Sequence, residues 1–183
     1  MSELILWRRV DAPGMDACRL SSGDAGSELL GTAVGRHAGM PSALEYRVTC
    51  NGSWHTLHAT LRGWIGPNTV SFAISRTPSG VWQLNGMEVA GLDGCVDLDL
   101  GFTPATNLLP IRRLDLEPHQ SSDVVAAWLD VSAGTLRRLE QRYERRSVSR
   151  YWYEAPSFGY TALLAVRPPG FVSSYPGLWE EET

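Results

Sequence analysis

Two aspartates stand one residue apart in the segment from Gly94 to Leu114, and a pair of arginines follows them. Asp97 and Asp99 alternate with apolar residues, so on an extended strand both carboxylates point to one face. Carboxylate oxygens are ligands for hard cations. Because no further carboxylate or histidine lies at a motif spacing, the sequence favours a strand face that is solvated or paired with Arg112 and Arg113 over a metal site.

The four histidines do not form the pattern of a catalytic or metal centre. His55 and His58 are three residues apart, which places them on opposite faces of a strand and disfavours two ligands to one metal. His119 precedes Ser121 and Ser122 and could be the base of a hydrolase, but no Gly-x-Ser-x-Gly nucleophile motif accompanies it. The sequence therefore assigns no catalytic residue, no metal and no cofactor, and a small hydrolase stays open as an alternative.

Aromatic side chains are the better candidates for binding. The run Tyr151, Trp152 and Tyr153 places rings on both faces of one strand, and exposed aromatic edges around a concavity make an amphipathic ligand site. Core packing is the commoner use of an aromatic residue on a strand. Six tryptophans lie in or beside predicted strands, namely Trp54, Trp64, Trp82, Trp128, Trp152 and Trp179.

Composition excludes several classes of protein. The chain has 183 residues and a net charge of -4, and all 16 basic residues are arginine. A chain without a basic excess is not expected to bind nucleic acid, and the lack of lysine excludes Schiff-base chemistry. The odd, widely spaced Cys18, Cys50 and Cys95, together with an N-terminus unlike a signal peptide, predict a cytoplasmic protein. No apolar run is long enough to predict a membrane span.

The elements that would hold these residues are mostly strands. Short apolar segments separated by Gly, Pro and Asn predict one β-rich domain over residues 1–183. Asn51-Gly52 and Asn85-Gly86 predict two-residue hairpins. One short helix is predicted over 105–114, where Pro110 limits its regularity. The predicted strands cover 44–49, 54–62, 69–76, 81–84, 87–90, 96–100, 124–131, 150–154, 158–167 and 171–175.

Residues 135–146 have two interpretations. Leu136, Leu139 and Tyr143 fit a helical stripe, and the Leu, Arg, Glu and Gln of this stretch favour helices. The alternative is a strand with Leu139, Gln141 and Tyr143 on one face. Propensity alone favours the helix, and the resemblance described next favours the strand.

Several segments resemble the Putative glycolipid-binding family, formerly a bacterial domain of unknown function. The resemblance covers nearly the whole chain. It implies a mainly β fold, in which a large antiparallel sheet or half-barrel wraps around a single short helix, and it implies a tight homodimer. The segments that carry it are 94–100, 103–107, 109–114, Gln141-x-Tyr143, 151–153, Phe158, 170–172 and 175–179.

The leading hypothesis is a non-catalytic protein that binds a lipid or glycolipid-like amphiphile in the concave face of the sheet. Such a site needs an apolar interior and polar groups at its mouth. Besides the small hydrolase, a dimer without a cavity that serves as an interaction scaffold is an alternative. The candidate ligand-binding residues are Trp64, Trp82, Asp97, Asp99, Arg112, Tyr143, Tyr151 and Tyr153.

Overall fold

The computed structural model describes residues 2–183, in which 15 strands form one large sheet that stays open at both edges. The strands are β1 Ser2–Arg9, β2 Gly14–Gly23, β3 Gly26–His37, β4 Met40–Cys50, β5 Thr56–Ile65, β6 Asn68–Arg76, β7 Trp82–Leu84, β8 Met87–Glu88, β9 Asp97–Asp99, β10 Ser121–Asp130, β11 Thr135–Ser147, β12 Arg150–Ala155, β13 Tyr160–Arg167, β14 Phe171–Tyr175 and β15 Trp179–Glu181. The helix α1 spans Leu108–Leu114 after a 3-10 turn at Ala105–Asn107, and a second 3-10 turn spans Pro156–Phe158.

The sheet consists of two meanders that join at its middle. One meander runs from β1 to β8 and the other from β10 to β15, with neighbouring strands antiparallel. The first and last strands, β1 and β15, lie side by side and connect the two halves. Among the strands of residues 2–183 one pair, β9 with β10, is parallel, because the chain passes through α1 between them.

The two edges of the sheet curl toward each other. The N–H of Thr56 at the start of β5 donates to the carbonyl of Val96 at 3.0 Å, and Thr56 Oγ1 accepts from the N–H of Leu98 at 3.1 Å. The indole of Trp82 in β7 donates to the Cys95 carbonyl at 3.0 Å. The segment around β9 therefore lies across the opening of a half-barrel.

Alternation along the strands sets the concave face. In β2 the inward residues are Asp16, Cys18 and Leu20, all buried, whereas the alternate residues Met15, Ala17 and Arg19 are exposed. Gly31 in β3 lies opposite Tyr46 in β4, and the absence of a side chain at Gly31 leaves space for the tyrosine ring. A Cβ at this position would overlap that ring. The inward side chains form the core that surrounds α1.

The helix fills much of the concavity. Leu108, Leu109 and Ile111 are buried against the sheet, while Pro110 stands in the first turn, where a missing N–H breaks no intrahelical bond. Arg112 and Arg113 occupy the last turn, where positive charge suits the helix dipole. None of the helical segments in the described chain has the length and apolar character needed to cross a membrane.

The predicted architecture is confirmed in outline. A large, mainly antiparallel sheet surrounds one short helix, at the predicted place. Residues 135–147 are strand β11, so the strand interpretation is correct. Its pairing with β10 and β12 buries Leu139, Gln141 and Tyr143 on one face, and this tertiary burial outweighs helix propensity.

Other local predictions were wrong. Asn51-Gly52 does not form a two-residue hairpin, because the Asn51 side chain accepts from the N–H groups of Ser53 and His55, both at 3.0 Å, and organises a longer loop at 51–55. Trp54 consequently lies in that loop, and Phe158 in a 3-10 turn, rather than in strands. Strands β1 to β3 had not been predicted.

Of the two alternatives predicted for the acidic face of β9, exposure to solvent is excluded for Asp97. Asp97 is 1% exposed, because the sheet edge and α1 cover it. The alternative of arginine pairing is confirmed for this residue, since Arg113 Nη2 lies 2.6 Å from Asp97 Oδ2.

Candidate functional site

A cavity of about 390 Å³ opens at one end of the half-barrel, beside α1. The loop after β9, from Leu100 to Pro104, forms one wall. The end of β10 with residues 129–131 and the turn at Phe158 form another, and β12, β13 and the β14–β15 turn complete it. Helix α1 therefore leaves part of the concave face open.

Aromatic rings make up much of the wall. Trp128 and Phe158 meet edge to face, with ring centroids 5.1 Å apart and planes at 74°. On the other side Tyr153 contacts Tyr160 at 6.2 Å and Tyr175 at 5.7 Å between centroids. Such contacts add to the stability of each ring's position beyond simple burial. The rings are thus held in place before any ligand arrives.

A hydrogen-bonded carboxylate faces the same space. Gln141, buried in β11, donates from Nε2 to Asp99 Oδ2 at 2.7 Å and to the Tyr153 hydroxyl at 2.9 Å. The N–H of Gly101 donates to Asp99 Oδ1 at 2.7 Å. Burial raises the pKa of Asp99, and these donors offset part of the rise. Asp99 is oriented by its neighbours and remains half-buried at the cavity.

The loop between β9 and α1 depends on one glycine. Gly101 has φ of +65°, and a Cβ there would collide with the indole nitrogen of Trp128. Thr103 ties the same loop to the sheet, because its hydroxyl donates to the buried Asp16. The Tyr46 hydroxyl donates to the same Asp16 oxygen at 2.9 Å. These contacts fix the wall of the cavity to β2 and β4.

The comparisons with known proteins agree with this architecture. A sequence profile described as Putative glycolipid-binding matches residues 4–181. The chain belongs to this family. The crystal structure of a DUF1089 family protein from Pseudomonas aeruginosa is similar, with 30% sequence identity over 91% of each chain and a TM-score of 0.78. No curated protein matches the chain at a significant level.

In this member of the Putative glycolipid-binding family, two of the eight candidate residues line the cavity. Asp99 and Tyr153 do so directly. Tyr143 lies buried behind them and accepts a hydrogen bond from the Asn107 side chain at 2.8 Å, while Asn107 itself reaches the cavity.

The other five candidates lie elsewhere. Trp64 is 46% exposed on β5, and Trp82 is buried with its indole bonded to the Cys95 carbonyl. Asp97 is held by Arg113. The remaining two candidates, Arg112 and Tyr151, each take part in a cation–π contact. The guanidinium of Arg112 lies over the ring of Trp54, and the ring of Tyr151 is covered by the guanidinium of Arg145.

Several cavity residues were not among the candidates. Trp128 and Trp179 are aromatic residues in or beside predicted strands, and Phe158 and Tyr175 belong to segments that resemble the family, so the sequence carries a signal for these four. Nothing in the sequence marked His37, which reaches the cavity from the far end of β3 and bonds to the Ser132 hydroxyl at 2.9 Å.

The side chains considered for catalysis or metal binding are not brought together in the described part of the chain. His119 is exposed in a loop before β10, and no hydrogen bond within residues 2–183 joins its ring to a serine or a carboxylate. In the same part of the chain no three His, Cys, Asp or Glu side chains are grouped so that they could hold a metal ion.

Proposed function

We propose that this protein binds a lipid or glycolipid-like amphiphile non-covalently and without catalysis. The observation that carries the proposal is the cavity of about 390 Å³ with aromatic walls and a few convergent polar groups. Small-molecule sites combine these properties at volumes of about 300–1,000 Å³. The family description, Putative glycolipid-binding, supports the same class of ligand.

The lining suggests how an amphiphile would lie. Asp99, Tyr153 and Asn107 offer hydrogen-bonding groups at the inner end, next to the start of α1. Phe158, which is 53% exposed, extends the aromatic wall outward. We propose that the polar group enters first and that the apolar part follows the exposed rings.

Native mass spectrometry after mild purification, followed by solvent extraction, tests the proposal. We expect a bound amphiphile, or binding of octyl glucoside below its micelle concentration. Phe158→Ala should weaken that binding about 3- to 10-fold, because it removes an exposed wall residue. Leu163→Ala is the matched control, since Leu163 is 42% exposed and lies outside the cavity. Absence of any bound or binding amphiphile would overturn the proposal.

We also propose that two copies associate through the convex face. Cross-strand partners Met15, Val34, Ala43 and Trp64 form an apolar row over four strands. Met15, Val34 and Trp64 are 43%, 55% and 46% exposed. Large exposed apolar patches are typical of interaction surfaces, and the implied homodimer would cover this one.

Sedimentation velocity checks the dimer. We expect the mass of two chains for the wild type and of one chain for Val34→Glu, because a charge in the row must lose its hydration on association. Leu163→Glu, at an exposed site away from the row, should leave the dimer intact. A monomeric wild type would contradict the proposal.

A cytoplasmic location is the proposed compartment. The support is that Cys18, Cys50 and Cys95 are all buried and unpaired, as is usual where thiols stay reduced. Cell fractionation would test it, and recovery of the protein from the cell envelope would contradict it.

A further inference from the structure

Acidic side chains outnumber basic ones in the lining of the cavity. Asp99 and Asp130 contribute two carboxylates, whereas none of the described residues that line it is an arginine, although the chain has 16. His37 also lines the cavity, and partial burial lowers the pKa of its ring, which disfavours a positive charge there. Apart from His37, the lining therefore has acidic side chains and no basic one.

Arg9, an arginine in contact with a residue of the lining, is bound to other partners. Arg9 lies over the ring of Trp179, 5.4 Å from its centroid, and does not line the cavity. Its guanidinium is bound to Asp11 at 2.5 Å and donates to the Arg36 carbonyl at 2.8 Å. An anionic group in the cavity would have no arginine to bind and two carboxylates to repel it.

The aromatic walls of the cavity favour a positively charged group. Trp128 and Phe158 are nearly perpendicular, and the planes of Tyr153 and Tyr175 differ by 69°, so ring surfaces of several orientations surround the space. A cation near such rings is attracted by their quadrupoles, which is how aromatic cages recognise quaternary ammonium groups. Asp99 adds a fixed carboxylate beside the rings.

We propose that the polar group taken up by this cavity carries a positively charged nitrogen, as a quaternary ammonium or a protonated amine. The inference rests on the proposed binding of an amphiphile and specifies its charge. A phosphate, sulfate or carboxylate headgroup is rejected by the same arrangement.

The test compares ligands that share an octyl chain and differ in the headgroup. Octyltrimethylammonium and octylamine, whose amine stays protonated at mildly alkaline pH, carry a positive nitrogen, octyl glucoside is neutral, and octyl phosphate is anionic. Binding is measured by isothermal titration calorimetry and by tryptophan fluorescence, below micelle concentrations. The pH is mildly alkaline, which favours the ionised form of a carboxyl group whose pKa is raised. We expect the cationic ligands to bind about 10-fold or more tightly than octyl glucoside, and octyl phosphate to bind more weakly than octyl glucoside.

Two variants connect the preference to the cavity. Asp99→Asn removes the charge with little change of shape, and Trp128→Leu removes a ring. Both should bring the affinity for octyltrimethylammonium to within about 3-fold of that for octyl glucoside. Their matched controls, Asp123→Asn and Trp152→Leu, lie outside the cavity and should keep the full preference. If Asp99→Asn fails to fold, Asp130→Asn removes the second lining carboxylate and should reduce the preference in part.

The outcomes separate the two proposals. Tight binding of only one cationic ligand supports the inference and identifies the kind of nitrogen. Equal or tighter binding of octyl glucoside or octyl phosphate overturns the inference while the proposed function stands, and so does a preference that survives in Asp99→Asn. If none of the four amphiphiles binds, the proposed function itself fails.

Discussion

Asp16 is a fully buried carboxylate on a strand whose other inward residues are apolar. Hydrogen bonds from Tyr46 and Thr103 satisfy it, yet burial raises its pKa from 3.8 to about 6. The folded protein therefore holds a proton that the unfolded chain releases in this range. The stability that the protonated form contributes is complete below about pH 4 and is lost as the pH rises through about 6.

Asp16→Asn should remove this dependence. We expect the free energy of unfolding of the variant, minus that of the wild type, to increase by up to about 3 kcal/mol between about pH 4 and pH 7. Urea denaturation at a series of pH values measures it. Asp123→Asn on the exposed surface should give a difference that hardly changes, and a flat difference for Asp16→Asn would show that its pKa is not raised.

Asp97 and Arg113 form a pair in which the carboxylate is buried and the guanidinium is one-fifth exposed. Arg113→Met leaves that carboxylate without its partner, so we expect a loss of about 3 kcal/mol in the free energy of unfolding. Adding Asp97→Asn should restore part of the loss in urea denaturation.

The exposed pair of Arg142 with Asp123 supplies the comparison. Arg142→Met should cost less than about 1 kcal/mol, since solvent screens surface pairs. A similar cost for both arginine variants would show that the pair in the core contributes no more than one on the surface.

At the scale of elements, the junction of β1 with β15 decides whether the two meanders act as one sheet. Trp7 in β1 is fully buried beside this junction, donates its indole N–H to the Val172 carbonyl at 2.6 Å and packs edge to face on Phe171. Trp7 therefore links β1, the first strand, to β14, which lies more than 160 residues later in the chain.

Trp7→Phe tests that junction. The variant loses the hydrogen bond, leaves a buried carbonyl without a partner and opens a small cavity, so we expect a loss of about 2–4 kcal/mol in urea denaturation. Val148→Ala, at an 80% exposed site between β11 and β12, should change stability by less than about 0.5 kcal/mol. Equal effects would mean that the junction does not depend on Trp7.

At the scale of the whole molecule, ligand binding should appear as thermal stabilisation. A ligand that binds only the folded chain adds about 2.7 kcal/mol at a concentration 100 times its Kd, which for a domain of this size raises Tm by about 5–10 °C. Differential scanning fluorimetry with octyltrimethylammonium measures the shift. Trp128→Leu should reduce the shift, whereas Trp152→Leu, outside the cavity, should not. Equal shifts in both variants would place binding outside the cavity.

The sequence by itself determined the elements whose signals are local. Alternating apolar residues and turn dipeptides identified many strands, Ala105 to Leu114 was correctly assigned to the helical segment, and the family segments implied a sheet around that helix. Asp99 and Tyr153, which line the cavity, were among the candidates because a carboxylate and a ring on short strands are conspicuous in the sequence.

Only the tertiary structure decided which side chains share the cavity. His37, Trp128, Phe158 and Trp179 come from distant parts of the chain, and their meeting depends on how a 15-stranded sheet curls and where its first and last strands join. Strand alternation predicts that two residues share a face of the sheet, but it does not predict which residues cover that face. Asp97 and Asp99 alternate alike, yet Arg113 covers one and the cavity borders the other, because burial is a property of the packed molecule.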